Sequence, residues 1–280
     1  MVQEPEKNIF DQRHLEYALQ AKSIPTFRLP FALSAKHTQI SDSKERLLIY
    51  TPPHSPTTKY EVSVVYFRST YTPTEFSSES DWEARYQIER SAAIKCPSIL
   101  SHLAGSKKVQ QVLATPSSSH IEKFLNREDS DRVRRSFAAI YPLDDSEAGK
   151  QAKSIATDPE KSHGYVLKPQ REGGGNNVYR KAIPPFLKSL GDQEKWQGHI
   201  LMEIIDPPSQ KNSIFRNGVL KNGEVIPELG IFGTCLWNQN GQIEHNENAG
   251  YLLRTKGRES EEGGVAAGFG AIDSLCLVDD

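Results

Sequence analysis

V-L-K-P-Q-R-E-G-G-G-N-N-V-Y, residues 166–179, sets a buried-strand signature directly against a loop that packs poorly. Gly164 to Leu167 read as the strand. After them come Lys168, Pro169, Gln170, Arg171 and Glu172, and then three consecutive glycines. Gly173, Gly174 and Gly175 reach backbone angles closed to other residues, and their unshielded N–H groups can approach a polyanion closely. Lys168 and Arg171 bring positive charge, and Glu172 is a hard oxygen ligand of the kind Mg²⁺ prefers. Two readings stand open on this stretch alone: a lid over phosphate groups, and a mobile turn between two strands.

The surrounding chain narrows the choice of class. Its 280 residues suffice for two domains of ordinary size, each with its own core. A net charge of −2 argues against a protein that coats nucleic acid or an anionic membrane, so any anion site must be a local concentration of Lys and Arg. Cys96, Cys235 and Cys276 are odd in number and widely spaced, which indicates neither a disulfide framework nor a zinc site and points to a reducing compartment. The first residues, M-V-Q-E-P-E-K-N, lack the basic and then apolar pattern of a signal peptide, and no apolar run approaches a membrane span. A cytoplasmic protein without nucleic-acid or membrane partners is the expectation.

Taken in order, Asn8 to Ala21 reads as a helix with Asp11 as a candidate cap. Arg46–Tyr50 and Glu61–Phe67 read as strands around a proline-rich surface loop, and Arg68, Ser69, Thr70 and Tyr71 follow the second, where α/β sheets hold ligands. Ser80 to Glu83 suggests a capping box opening a helix to about Ile94. Pro97 starts a helix that Gly105 stops, and Ser106 caps another whose first residues are Lys107 and Lys108. Two cations at the positive end of a helix are each unfavourable by ~0.3–1 kcal/mol unless an anion sits there; a bound anion and two solvated lysines are the two explanations.

Further on, Ser119–Leu125 and Ser130–Tyr141 read as short helices, and Leu143–Ser154 as an exposed polar run. Ile183–Leu190 is expected to be a helix entered by two prolines, and His199–Ile205 an apolar strand carrying Glu203. Val225–Trp237 reads as a long strand with Glu228 in apolar company, turned at Asn240-Gly241 onto Gln242–Glu247. A buried acid needs a partner or a ligand, so Glu228 is a candidate for function. Arg254 and Lys256 end an apolar pair, and a second glycine-rich segment runs from Gly263 to Gly270. There is no P-loop pattern, no G-x-G-x-x-G and no kinase catalytic loop. Cation-bearing turns, acids on strands and a carboxylate beside three glycines describe a nucleotide–metal site between two α+β lobes, as in ATP-grasp ligases.

The segments N-I-F-D-Q-R, V-V-Y-F-R, L-A-G-S-K-K-V-Q-Q, V-L-K-P-Q-R-E-G-G-G-N-N, P-E-L-G-I-F-G, L-L-R-T-K and G-G-V-A-A-G resemble the eukaryotic glutathione synthetase family, in the same order. The resemblance implies a fold of α+β lobes: a small α/β substrate-binding domain over residues 1–104, then an ATP-grasp region over 105–280 whose lid spans roughly 142–225. It implies a ligase that joins γ-glutamylcysteine to glycine with ATP and Mg²⁺, through an acyl phosphate.

Carried over by motif, Lys107 and Lys168 would hold phosphates, with Lys168 and Arg254 serving catalysis and Glu172 binding the metal. Pro169, Gln170, Arg171, Glu172, Gly173, Gly174, Gly175, Asn176, Asn177 and Tyr179 would cover the nucleotide, Met202, Glu203, Ile204 and Ile205 would line the adenine pocket, and Glu228, Lys256 and Glu262 would also touch ATP. The dipeptide would meet Glu6, Lys7, Asn8, Gln12, the run Arg68, Ser69, Thr70 and Tyr71, and Arg254, Val265 and Ala266.

One departure is large: this chain resembles only the C-terminal part of a longer family. A further metal-binding acid with its neighbouring asparagine, and a substrate-binding arginine, belong to the part without a counterpart here. An N-terminal polypeptide completing the enzyme, and an oligomeric assembly, are therefore expected partners. The competing readings are a truncated nucleotide-binding product without catalysis, and an ATP-grasp ligase using a different amine acceptor.

Overall fold

The computed structural model describes residues 1–6, 8–170, 175–216, 218–261, 265 and 270–277. The chain divides into two compact units, Met1–Ile204 and Ile205–Asp280. In chain order the first unit begins with helix α1 (Ile9–Gln20), a short α2 (Ser34–His37), and strands β1 (Thr38–Ile40), β2 (Leu48–Tyr50), β3 (Tyr60–Glu61) and β4 (Val64–Tyr66). Helix α3 (Glu79–Arg90), strand β5 (Ile94–Cys96), and helices α4 (Ile99–Ala104), α5 (Lys107–Ala114) and α6 (Arg127–Arg134) follow. Then come β6 (Ile140–Pro142), α7 (Glu147–Ala156), β7 (Tyr165–Pro169), β8 (Val178–Tyr179), α8 (Ile183–Leu190) and β9 (His199–Glu203).

β1, β2 and β3 form an antiparallel sheet, while β4 and β5 pair in parallel with α3 as the crossover. Their side chains build one core around Leu48, Val65, Phe67, Ala84 and Ile88, the last fully buried. Arg85 is buried beside it, its guanidinium 3.7 Å above the Phe67 ring and 2.8 Å from Glu89, which compensates a charge removed from water.

A second core lies under the antiparallel sheet ordered β6-β9-β7-β8. Leu167 and Leu201, paired across β7 and β9, pack with Leu143, Ala152, Ala156, Ile183, Leu187 and Trp196. The Trp196 indole N–H donates to Leu187 O at 3.1 Å, so the ring is buried without an orphaned donor.

Several expected boundaries shift: Glu61–Phe67, expected as one strand, divides into β3, which pairs with β2, and β4, which pairs with β5. The box that opens α3 is Ser78 with Asp81, two residues earlier than Ser80 with Glu83. That helix stops at Arg90 because Ile94–Cys96 is taken up as the partner of β4. Ile140 is a strand residue, not the last turn of a helix, since β6 pairs with β9. The run from Leu143 to Ser154, expected to be exposed, contains α7: Ser146 caps it, and Leu143 and Ala152 are in the core.

The second unit consists of β10 (Gln210–Arg216), β11 (Val219–Trp237), β12 (Ile243–Gly257) and β13 (Gly270–Asp273), antiparallel in that order. Asn240-Gly241 makes the expected turn between β11 and β12, with Gly241 at φ 78°. Both strands extend well beyond their expected limits.

Candidate functional site

In the first unit, the residues expected to meet a dipeptide come from two places and converge. Glu6 and Asn8 precede α1, Gln12 lies within it, and Arg68 to Tyr71 follow β4. The Asn8 N–H donates to Glu6 Oε1 at 2.9 Å, and the Asn8 side-chain amide to Asp11 Oδ2 at 2.6 Å. Arg68 reaches the same Asp11 carboxylate at 3.9 Å, and Arg28 reaches Glu6 at 3.9 Å. Burial pushes the Glu6 carboxyl upward, but hydrogen bonds from the Asn8 N–H, the Gln12 side chain and the Gln3 N–H, with the Arg28 charge, bring it below its ordinary value. It therefore stays ionised at neutral pH. Burial raises the Tyr71 hydroxyl, and Arg68, Tyr66, Glu75 and Glu6 all act on it, so the two segments share one electrostatic environment.

Four buried polar atoms in this cluster find no hydrogen-bond partner among the described residues: Glu6 Oε2, Gln12 Oε1, Arg68 Nε and Ser69 Oγ. Gln12 is 5% exposed and Ser69 3%. Such atoms are rare in folded proteins and mark places where a ligand or water completes the bonding. Nearby, Thr70 has φ +63°, a left-handed conformation uncommon for a β-branched residue. Its N–H and those of Tyr71 and Thr72 all donate to the Glu75 carboxylate. Sequence reading assigns Arg28 and Glu75 no role; Asp11, the expected cap, lies instead in the first turn of α1, whose cap position is Asn8, and it pairs with Asn8 and Arg68. Thr72-x-x-Glu75 is nonetheless a capping-box spacing, and that signal was available.

The nucleotide residues of the first unit gather at the end of β7. Residues paired across a sheet share a face. Lys168 pairs with Ile200, and Val166 with both Met202 and Tyr179, so Lys168, Met202 and Tyr179 lie on the face opposite Leu167 and Leu201. Glu203 pairs with Tyr165 and falls on the other face by the same alternation; contact from it to a ligand beside Lys168 would use its main chain. The Asn177 side-chain amide donates to the Tyr179 hydroxyl at 3.1 Å. Lys108 N–H, in the first turn of α5, donates to Gln170 Oε1 at 3.0 Å, which ties the N-terminus of α5 to the end of β7. The first turn of α5, which carries Lys107, is thereby tied to the end of β7, which carries Lys168. Gln170 N–H donates to Gly198 O at 3.3 Å, and Ile204 N–H to Gly164 O at 2.8 Å, closing the sheet's end.

In the second unit Glu228 faces Arg254 directly across β11 and β12, and the two form an ion pair at 3.2 Å. Lys256 reaches the other Glu228 oxygen at 3.7 Å. Glu228 is thus not the buried acid expected from its apolar neighbours: its side chain is 37% exposed and shared by two cations. Between them on the opposite face, Thr255 is 2% exposed and donates to Asp273 Oδ2 at 2.7 Å, fixing β12 against β13. Ile205 is exposed and Val265 half-buried.

Lys7, Arg171, Glu172, Gly173, Gly174, Glu262 and Ala266 lie outside the described residues. Among the described ones there is no group of three or more His, Cys, Asp or Glu side chains placed to hold a metal. A site that takes Mg²⁺ together with nucleotide phosphates requires only one or two protein carboxylates, for which Glu172 has the right donor chemistry.

Comparison with known proteins gives concordant results. Residues 5–277 match the family described as eukaryotic glutathione synthase, ATP binding domain. The chain is 41% identical to the glutathione synthetase large chain of Schizosaccharomyces pombe, covering 97% of this chain and 53% of that one. It is 43% identical to the chloroplastic glutathione synthetase of Arabidopsis thaliana, over 99% of this chain and 49% of the relative. With the Homo sapiens glutathione synthetase it shares 41% identity over 98% of its length and 55% of the relative's. It thus spans about half the length of the curated relatives it matches. A solved structure titled as a glutathione synthetase-like effector from Globodera pallida, in apo form, superposes with a TM-score of 0.67 at 22% identity, over 96% of this chain and 53% of that one, a likeness of fold.

Proposed function

This chain belongs to the eukaryotic glutathione synthase family, and from that premise we propose that it forms the ATP- and dipeptide-binding part of a ligase joining γ-glutamylcysteine to glycine. The observation that carries the reading is the cluster of buried polar atoms Glu6 Oε2, Gln12 Oε1, Arg68 Nε and Ser69 Oγ, which lack hydrogen-bond partners among the described residues, Glu6 Oε2 lying 3.9 Å from Arg28. A γ-glutamyl dipeptide presents an ammonium group and carboxylates. An ionised Glu6 suits the first and the Arg68 guanidinium the second.

In this reading the γ-phosphoryl group of ATP passes to the cysteinyl carboxylate, giving ADP and an acyl phosphate. The glycine amine attacks the carbonyl carbon, the new C–N bond forms as the C–O bond to phosphate breaks, and the amine proton leaves to solvent. Phosphoryl transfer relies mainly on positioning and charge stabilisation. In the first unit Lys107 and Lys168 would take the phosphates, and Met202 and Tyr179 would bound the base on the face of Lys168; the second unit by itself would offer the Glu228–Arg254–Lys256 charge group. Mg²⁺, held by Glu172 and the phosphates, would neutralise charge during transfer.

The relatives' remaining half has no counterpart in this chain, so we propose that turnover needs an added N-terminal polypeptide. No helix among the described residues is long and apolar enough to cross a membrane, and Cys96, Cys235 and Cys276 are free and exposed. The free cysteines support a reducing setting such as the cytoplasm. The test is glutathione formation from ATP, γ-glutamylcysteine and glycine, with and without the N-terminal half of the fission-yeast relative. Turnover should require that half. Full turnover without it would remove the proposed requirement, and no turnover with it would overturn the ligase reading.

A further inference from the structure

Glu75 stands apart from the residues given any role above, yet the turn carrying Arg68 and Tyr71 closes on it. Its Oε1 accepts the Thr70 N–H at 2.9 Å and the Gln3 side-chain amide at 3.2 Å, and its Oε2 accepts the N–H groups of Tyr71 and Thr72 at 2.6 and 3.2 Å. Three successive backbone donors thus point at one carboxylate, a concave arrangement that demands an anionic acceptor. The turn is also held in a conformation its sequence does not favour. Thr70 sits at φ +63° while 4% exposed, and glycine, not a β-branched residue, is at ease there. Pro73 opens the short turn Pro73–Glu75 with a fixed φ and no N–H of its own to satisfy.

The same turn leaves Ser69 Oγ and Arg68 Nε buried and without hydrogen-bond partners among the described residues; Thr70 and Glu75 line a cleft of about 360 Å³ to which Arg68 and Tyr71 do not contribute, so the turn separates Glu75 from those two side chains. A turn that relaxed to an ordinary φ at Thr70 would rotate the peptide planes on both sides and redirect Arg68 relative to Tyr71. We propose that Glu75 is a positioning residue for the dipeptide site. It holds Thr70 in the left-handed region through the three N–H groups, and so sets where Arg68 and Tyr71 point, without itself touching substrate. This rests on the reading of residues 68–71 as dipeptide-binding.

The experiment compares wild type with Glu75→Gln and with Glu75→Gln combined with Thr70→Gly, in the assembly completed by the relative's N-terminal half. Amide hydrogen exchange and the affinities for γ-glutamylcysteine and ATP are measured. Glu75→Gln should speed exchange at residues 70–72 while leaving the amides of β7 and β9 unchanged. It should weaken the dipeptide by about 10- to 100-fold, the scale of a lost charged hydrogen-bond network, with ATP affinity within about twofold. Adding Thr70→Gly should restore most of the dipeptide affinity, because glycine keeps the positive φ without the clamp. Faster exchange with unchanged dipeptide affinity would reduce Glu75 to a structural role and overturn the proposal, as would unchanged exchange. A wild-type assembly that fails to bind γ-glutamylcysteine would sink the functional reading and the positioning role together; wild-type binding with an unmoved variant sinks the positioning role alone.

Discussion

Arg68 shows how a single side chain can link fold and chemistry. It follows β4, lies 3.9 Å from Asp11, and keeps Nε buried without a hydrogen-bond partner among the described residues, a donor that an arriving ligand acceptor or a water would satisfy. Arg68→Ala is expected to raise KM for γ-glutamylcysteine by about 10- to 100-fold, the cost of a charged hydrogen bond, with KM for ATP little changed; steady-state kinetics of the completed assembly decides it. Glu6 gives a pH prediction. Its folded pKa is depressed, so its favourable contribution is present above the ordinary carboxylate range and is lost as pH falls through the lowered folded value. Dipeptide affinity should therefore hold from neutrality down to about the unperturbed Glu pKa of ~4.3 and decline below it, whereas Glu6→Gln should bind weakly at every pH. Calorimetric titration across that range distinguishes the two, and a Glu6→Gln variant with wild-type affinity would exclude Glu6 as the ammonium partner. Little of this geometry was readable beforehand. The sequence shows Arg68 at a strand end, but the convergence of α1 on that end rests on a contact between Asp11 and Arg68 that no local pattern announces, whereas the Glu75 bonds are local and written in the Thr72-x-x-Glu75 spacing.

At the scale of elements, what was readable depended on how local the cause is. Ile183–Leu190 was placed correctly because proline entry and a strong apolar face are written within eight residues. Helix α7 was missed because its buried face is made of Gly149, Ala152 and Ala156, small residues that a hydrophobicity reading counts as weak but that let a helix approach a sheet closely. Gly149 yields a prediction of unusual sign. A Gly→Ala change inside a helix ordinarily stabilises by roughly 0.5–1 kcal/mol, yet a Cβ here would collide with the Asp144 backbone carbonyl and carboxylate. Gly149→Ala should destabilise by about 1–3 kcal/mol, the usual cost of overpacking, and chemical denaturation would refute this if the midpoint rose. Strand β7 offers a functional counterpart. Lys168 is partly buried on the face away from the Leu167 core, so Lys168→Ala should spare the fold while lowering turnover by about 10- to 1,000-fold and raising the need for ATP, as expected for a lost electrostatic stabiliser. Unchanged kinetics at saturating and limiting ATP would remove Lys168 from the site.

At the scale of the whole molecule the two units differ in what holds them. Met1–Ile204 contains two apolar cores, one built on Ile88 and Phe67, the other on Leu167 and Leu201, each covered by helices. In Ile205–Asp280 the described residues that are buried number four, Val225, Ile226, Leu253 and Thr255, although the sheet is long. Pleat alternation sets Glu228, Arg254 and Lys256 on one face and places Leu229, Ile231, Tyr251 and Leu253 together on the other, where Leu229, Ile231 and Tyr251 are more than half exposed. Buried apolar side chains give about 1.5–3 kcal/mol each, too few here to offset a backbone entropy of about 1–2 kcal/mol per ordered residue. A polypeptide of residues 1–204 should therefore unfold cooperatively, and one of residues 205–280 should not, when each is heated and followed by circular dichroism. The intact chain should also bind a hydrophobic dye, and lose part of that binding when the N-terminal half of a relative is added, because the exposed face of Leu229, Ile231 and Tyr251 is the kind of surface a soluble assembly covers. Cooperative melting of the 205–280 polypeptide, or dye binding unaffected by the added half, would show the sheet to be self-sufficient, and the missing half of the family would then have to act elsewhere than on this face.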